Sequence, residues 1–86
     1  MPLAVSPMLS PRKHLNLDVS VLRVSAIILR ELTKRRVIEL ERMRGIIIRR
    51  TGQDGELSFL PALSFLFLLG RVEYHLQNDS LEYKAD

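Results

Sequence analysis

LSFLPALSFLFLLGRVEYHL (57–76) holds a run of helix length, Leu57 to Gly70, with no charged residue before Arg71. Ser58 can cap a helix there by accepting a bond from a free backbone N–H. Pro61 then falls in the first turn, where its missing N–H is not needed, and Gly70 is a natural C-terminal stop. With Phe59 at the origin and 100° per residue, Phe59, Ala62, Leu63, Leu66 and Leu69 gather on one side as a core stripe. Leu60, Ser64, Phe67 and Leu68 gather on the other, with Phe65 between. After this helix, RVEYHL, QNDS and LEYK read as a β-hairpin. Val72, Tyr74 and Leu76 alternate with Glu73 and His75, and Asn78-Asp79 supply the turn.

Upstream, Leu17 to Thr33 reads as a first helix capped by Asp18 or Ser20. Its apolar stripe is Leu22, Ala26, Leu29 and Thr33, flanked by Ile28 and Leu32. Val37 to Arg50 reads as a second helix with Val37, Leu40, Met43, Ile47 and Ile48 on one face. Gly45 weakens it, and the β-branched GIII (45–48) also suits a short strand. TGQDGE (51–56) reads as a loop. The order predicts a mainly α (α+β) fold, a winged helix-turn-helix of three helices followed by a C-terminal β-hairpin wing. Residues 13–86 form that domain, behind a disordered, proline-spaced lead-in over 1–12.

The chain has 86 residues, 27% of them charged and nearly half hydrophobic, which suits one small globular domain. With no cysteine there is neither a disulfide framework nor a thiolate metal site, which is compatible with a cytoplasmic protein. MPLAVSPMLSPRKH (1–14) lacks the order of a secretory signal, because its basic residues follow the apolar ones. The uncharged run of 57–70 falls short of the roughly 20 residues that cross a bilayer. Charge is unevenly placed. Residues 30–50 carry eight basic side chains against three glutamates, while residues 51–86 carry two basic against six acidic.

No catalytic constellation is visible. His14 and His75 lie in different elements, and paired carboxylates, metal-ligand spacing and a glycine-rich phosphate loop are missing. The sequence therefore predicts no enzyme, no metal, no cofactor and no small-molecule substrate, with His75 solvated. A winged-helix DNA-binding protein, such as a small repressor, is the alternative. Arg35, Arg36, Arg42, Arg44, Arg49 and Arg50 could hold phosphates, which is salt-sensitive and sequence-blind. Base edges, however, are read by Arg, Lys, Asn, Gln, Ser or Thr, and the helix before the wing offers Leu60, Phe67, Leu68 and one serine. Such an apolar face calls for protein. Leu60, Phe65, Phe67 and Leu68 are the candidate protein interface, toward a partner or a second copy of the chain.

KHLNLDVSVLRVSAIILREL (13–32) and LSFLPALSFLFLLGRVEY (57–74) together resemble the small middle component of ABC-three-component systems. The likeness rests on Lys13-His14-Leu15, then Ser20, Leu22, Ile28-Leu29 and Leu32, and on Val37 with Leu40. It continues through Leu57-Ser58-Phe59, Ala62-Leu63, Phe65-Leu66, Leu69-Gly70, Val72 and Leu81, most of residues 12–84. Arg23 and Ser25 stand where the family has glycines, and the second helix is unusually basic and lacks an aromatic. The resemblance implies a winged-helix adaptor joining an SMC-like or Rad50-like ABC ATPase to an effector, often a nuclease. Lamassu-type antiphage defence is the best-known relative, and DNA contact would arise within that assembly.

Overall fold

A computed structural model describes residues 11–85, with side chains described from Asp18 onward. The elements are α1 (Pro11–Arg35), β1 (Val37–Glu39), α2 (Leu40–Thr51), α3 (Gln53–Leu68), β2 (Val72–His75) and β3 (Ser80–Tyr83). The strands form one antiparallel sheet in the order β1-β3-β2. The fold is thus mainly helical with a small three-stranded sheet. Of the expected lead-in, residues 1–10 lie outside the described residues, and Pro11 and Arg12 open α1.

Three local readings are corrected. First, Val37–Glu39 is a strand and not the start of a helix. Arg36, at φ 71°, turns the chain out of α1 while its N–H donates to the Leu32 carbonyl at 2.7 Å. The β-branched Val37 and Ile38 then pair with Glu82 and Leu81 of β3, so this strand exists because the hairpin offers it an edge. Second, TGQDGE is not a loop. Gly52 alone, at φ 72°, separates two helices, and its N–H donates to Ile48 of the first. Asp54 and Glu56 fall in the first turn of α3, where the helix dipole favours carboxylates. Third, Ser58 is no cap. Together with Pro61 it lies inside α3, and Asp18 and Ser20 likewise lie inside α1.

The C-terminal stop of α3 holds. The Gly70 N–H donates to Phe67 and the Arg71 N–H to Leu66, with Gly70 at φ 74°. That is a Schellman arrangement, which satisfies carbonyls the helix end leaves free. The hairpin also forms as read, Val72 pairing with Tyr83 and Tyr74 with Leu81.

One core joins all three helices to the sheet. Val24, Ile28 and Leu32 of α1 meet Phe59, Ala62, Leu63 and Leu66 of α3, with Met43 and Ile47 of α2 and Ile38, Val72 and Leu81 from the sheet. The buried face of α1 is the expected one only in part, since Ile28, Leu32 and the half-buried Leu29 of the expected stripe do pack on the core. Leu22, Ala26 and Thr33 are exposed, and Val24, Ile28 and Leu32 take the inside. Both sets are apolar columns, and packing against α3 selects between them. In α2, Met43, Ile46 and Ile47 are buried, while Val37 is exposed on β1.

Two glycines make the packing testable. A Cβ at Gly55 would lie 1.5 Å from Thr51 Oγ1, which is itself fixed by donating to the Ile47 carbonyl at 2.7 Å. A Cβ at Gly45 would meet nothing within 4 Å. In urea titrations Gly45→Ala should therefore stabilise by about 0.5–1 kcal/mol. Gly55→Ala should destabilise by about 1–3 kcal/mol despite alanine's better helix propensity. A stabilised Gly55→Ala would contradict this α2–α3 packing.

Candidate interaction surface

The expected inner stripe of α3 is buried from Phe59 to Leu66, and only Leu69, just past the helix, is exposed instead. The other side is open among the described residues. Leu57 is 73% exposed, Leu60 67% and Leu68 86%, with Phe67 at 41% and Phe65 at 37%. Exposed Pro61 and Ser64 complete this face. Because proline has no N–H, the Leu57 carbonyl lacks its usual donor four residues on. All four residues assigned from the sequence are at least partly exposed, Leu60, Phe67 and Leu68 on the outer side and Phe65 at its edge. Leu57, which the sequence placed before the cap, extends this ridge.

A second apolar strip was not foreseen. Val19 and Leu22 of α1 are more than half exposed, beside exposed Ala26. The packing of α1 on α3 is the most extensive between any two elements, so their inner faces look at each other and their outer faces look apart. Polar groups assist this packing. Ser58 Oγ donates to Ser20 Oγ at 2.7 Å, and Ser25, at a glycine position of the resembling family, is buried and donates to the Val21 carbonyl. Its small side chain keeps the approach close.

The six arginines expected to be free for phosphate are not equivalent. Arg35 Nε and Arg50 Nη2 both donate to the buried Glu31 carboxylate, at 3.3 and 3.4 Å. Arg44 is spent on Glu41 at 3.5 Å and Glu56 at 2.7 Å. Arg36 stacks over the Tyr83 ring, 5.9 Å from its centroid. Arg42 and Arg49 are exposed and in no ion pair among the described residues. Glu31 is one of the three glutamates within the basic stretch. Its i,i+4 spacing to Arg35 was visible in sequence, but its link to Arg50, nineteen residues on, depends on the fold.

On the hairpin, Glu73 and Glu82 are directly paired across the strands, an unfavourable match of like charges. Lys84 Nζ lies 3.3 Å from Glu73, and His75 Nε2 lies 2.6 Å from Glu82, which offsets the repulsion. His75 is therefore half-buried and partnered, not simply solvated. The ligand-type atoms of Glu73, His75 and Glu82 lie within 4.8 Å of one another, and these contacts account for all three. At the hairpin tip Tyr74 and Leu76 are exposed, so the alternating apolar face is covered only at its base, by Val72. Among the described residues no helix is long and apolar enough to cross a membrane.

These observations define a class: a small, mainly helical domain with a three-stranded antiparallel sheet and a helix left apolar on its outer side. Over residues 36–84, more than half its length, the chain matches the family described as ABC-three component (ABC-3C) system Middle Component 8. It belongs to that family, as its resemblance implied. A middle component of a multi-component system has partner proteins in a complex. No curated protein and no solved structure matches the chain significantly.

The Tyr74 hydroxyl donates to the Asp79 carboxylate across the turn, and this bond raises the phenol's pKa above its ordinary 10.0. Ionisation would remove the donor and set two negative charges together. The raised value means the contact stabilises the hairpin below about pH 10 and is lost as pH climbs through the folded-state pKa. In a Tyr83→Phe background, which leaves Tyr74 as the sole phenol, Asp79→Ala should lower the pKa seen by ultraviolet titration toward 10.0. An unchanged pKa would contradict the contact.

Proposed function

We propose that this chain is a non-enzymatic, cytoplasmic adaptor that joins an SMC-like ABC ATPase to an effector subunit in a Lamassu-like antiphage defence complex. Membership of the middle-component family supplies the setting. The observation that carries the reading is the pair of uncovered apolar faces, Leu57, Leu60, Phe67 and Leu68 on α3 and Val19 with Leu22 on α1. A link between two proteins needs two docking faces, and these look away from one another. The element order helix, strand, helix, helix, strand, strand, with β1 completing the sheet of the hairpin, supports a winged helix.

Magnitudes favour protein as the occupant of the α3 face. The exposed fractions of its leucines and phenylalanines leave on the order of 500 Å² of apolar surface wet, near the top of what monomers tolerate. One partner's share of a standard interface is about 800 Å², so this ridge would form its centre. Between Leu57 and Leu68 the outward side offers one hydrogen-bonding side chain, Ser64. That supports docking by burial, with full burial of each large side chain worth roughly 1.5–3 kcal/mol, over reading of base edges.

Co-expression with the products of neighbouring genes, followed by affinity capture, tests this. The chain alone should self-associate or precipitate and be rescued by an ABC ATPase or effector partner. Leu60→Asp and Phe67→Asp should each weaken that complex at least about 30-fold, or about 2 kcal/mol, while circular dichroism stays native. Leu22→Asp should impair a different pairing from Phe67→Asp. Complexes indifferent to all three changes would overturn the assignment.

A further inference from the structure

Three of the basic residues in no ion pair among the described residues lie on α1, outside the six arginines singled out from the sequence. Arg23, Arg30 and Lys34 of α1 are exposed and in no ion pair among the described residues. Spaced seven and four residues apart, they fall within about 40° of one another and span about 16 Å of helix axis. From Arg23 to Lys34 the one carboxylate on α1 is Glu31, which is turned inward and buried. Glu31 also seats α2 beside this row, through Arg50. On α2, Arg42 and Arg49 lie seven residues apart on one flank, and Arg42 shares an open cleft of about 350 Å³ with Arg35, Glu39 and Asn78. Arg42, through the cleft it shares with Arg35, and Arg49, next to Arg50, therefore lie near the Lys34 end of the row, and the five cations are taken together as one band.

We propose that this band binds the phosphate backbone of duplex nucleic acid, without regard to sequence. The proposal does not depend on the adaptor reading. A single file of cations suits a strand that presents one charge per 3.4 Å of its axis. A single-stranded ligand would call for aromatic platforms, and no aromatic residue occurs between residues 11 and 51. A membrane surface would call for a broad apolar face with bulky or aromatic side chains beside the cations; α1 offers a narrow strip of Val19, Leu22 and Ala26 there, while Val24, Ile28 and Leu32 are wholly buried in the core. The band lies apart from the α3 ridge but beside the Val19 and Leu22 strip, so duplex would compete with a partner on α1 and not with one on α3.

Fluorescence anisotropy with a mixed-sequence duplex, on the full chain alone and kept dilute, tests this. If five side chains each neutralise a phosphate, affinity should fall about 500-fold between 50 and 200 mM salt. The triple variant Arg23→Gln, Arg30→Gln, Lys34→Gln should fall only about 12-fold over that range and bind more weakly at 50 mM. Arg44→Gln, whose charge is already neutralised, serves as control and should match the wild type. All three changes in the triple variant are on exposed positions, and circular dichroism checks its fold. An unaltered salt slope in that variant would overturn the proposal. So would preference for phosphatidylserine vesicles or polyglutamate over the duplex.

Discussion

A helix that is apolar around its whole circumference can be fully buried only when other elements cover it on both sides. In this fold α3 has neighbours on one side alone. Val24, Ile28 and Leu32 of α1, with Met43 and Ile47 of α2, cover Phe59, Ala62, Leu63 and Leu66. Among the described residues no further element covers the outer side of α3, and the proposed docking rests on that exposed face.

The electrostatics reinforce the same division of labour. Acidic side chains are spent inside the structure: Glu31 holds two arginines across the α1–α2 junction, Glu56 ties α3 to Arg44, and Glu82 accepts from His75. Among the described residues, Arg23, Arg30 and Lys34 of α1 and Arg42 and Arg49 of α2 have no such partner, nor does Arg71 between α3 and β2. The α3 ridge and these α1 and α2 cations are distinct surfaces, and the two proposals rest on them separately.

How much of this was legible in the sequence differs by element. The body and C-terminal end of α3 were legible because its inner and outer positions were all read from one dense apolar run closed by Gly70, and the inner positions are buried from Phe59 to Leu66. The hairpin was legible because alternation and Asn78-Asp79 are local signals. Val37–Glu39 was not, because a three-residue strand has no identity until β3 lies beside it. The start of α3 was missed because Gly52 makes the whole turn alone, while Gly55 is a packing glycine inside the helix. The phase of α1 was undecidable locally, since Leu22-Ala26-Leu29 and Val24-Ile28-Leu32 are both apolar columns and only the docking of α3 chooses. The body of α3 was therefore more legible than the elements around it.

The three phenylalanines offer the most direct test of the central claim. With fluorinated phenylalanine incorporated throughout, the solvent-isotope shift of each fluorine resonance reports its exposure to water. In the chain kept dilute and alone, Phe59 should be shielded and Phe65 and Phe67 solvent-sensitive; in the complex, Phe67 should lose that sensitivity. Three shielded resonances in a monomer would mean that the chain seals its own outer face, and the account would fail.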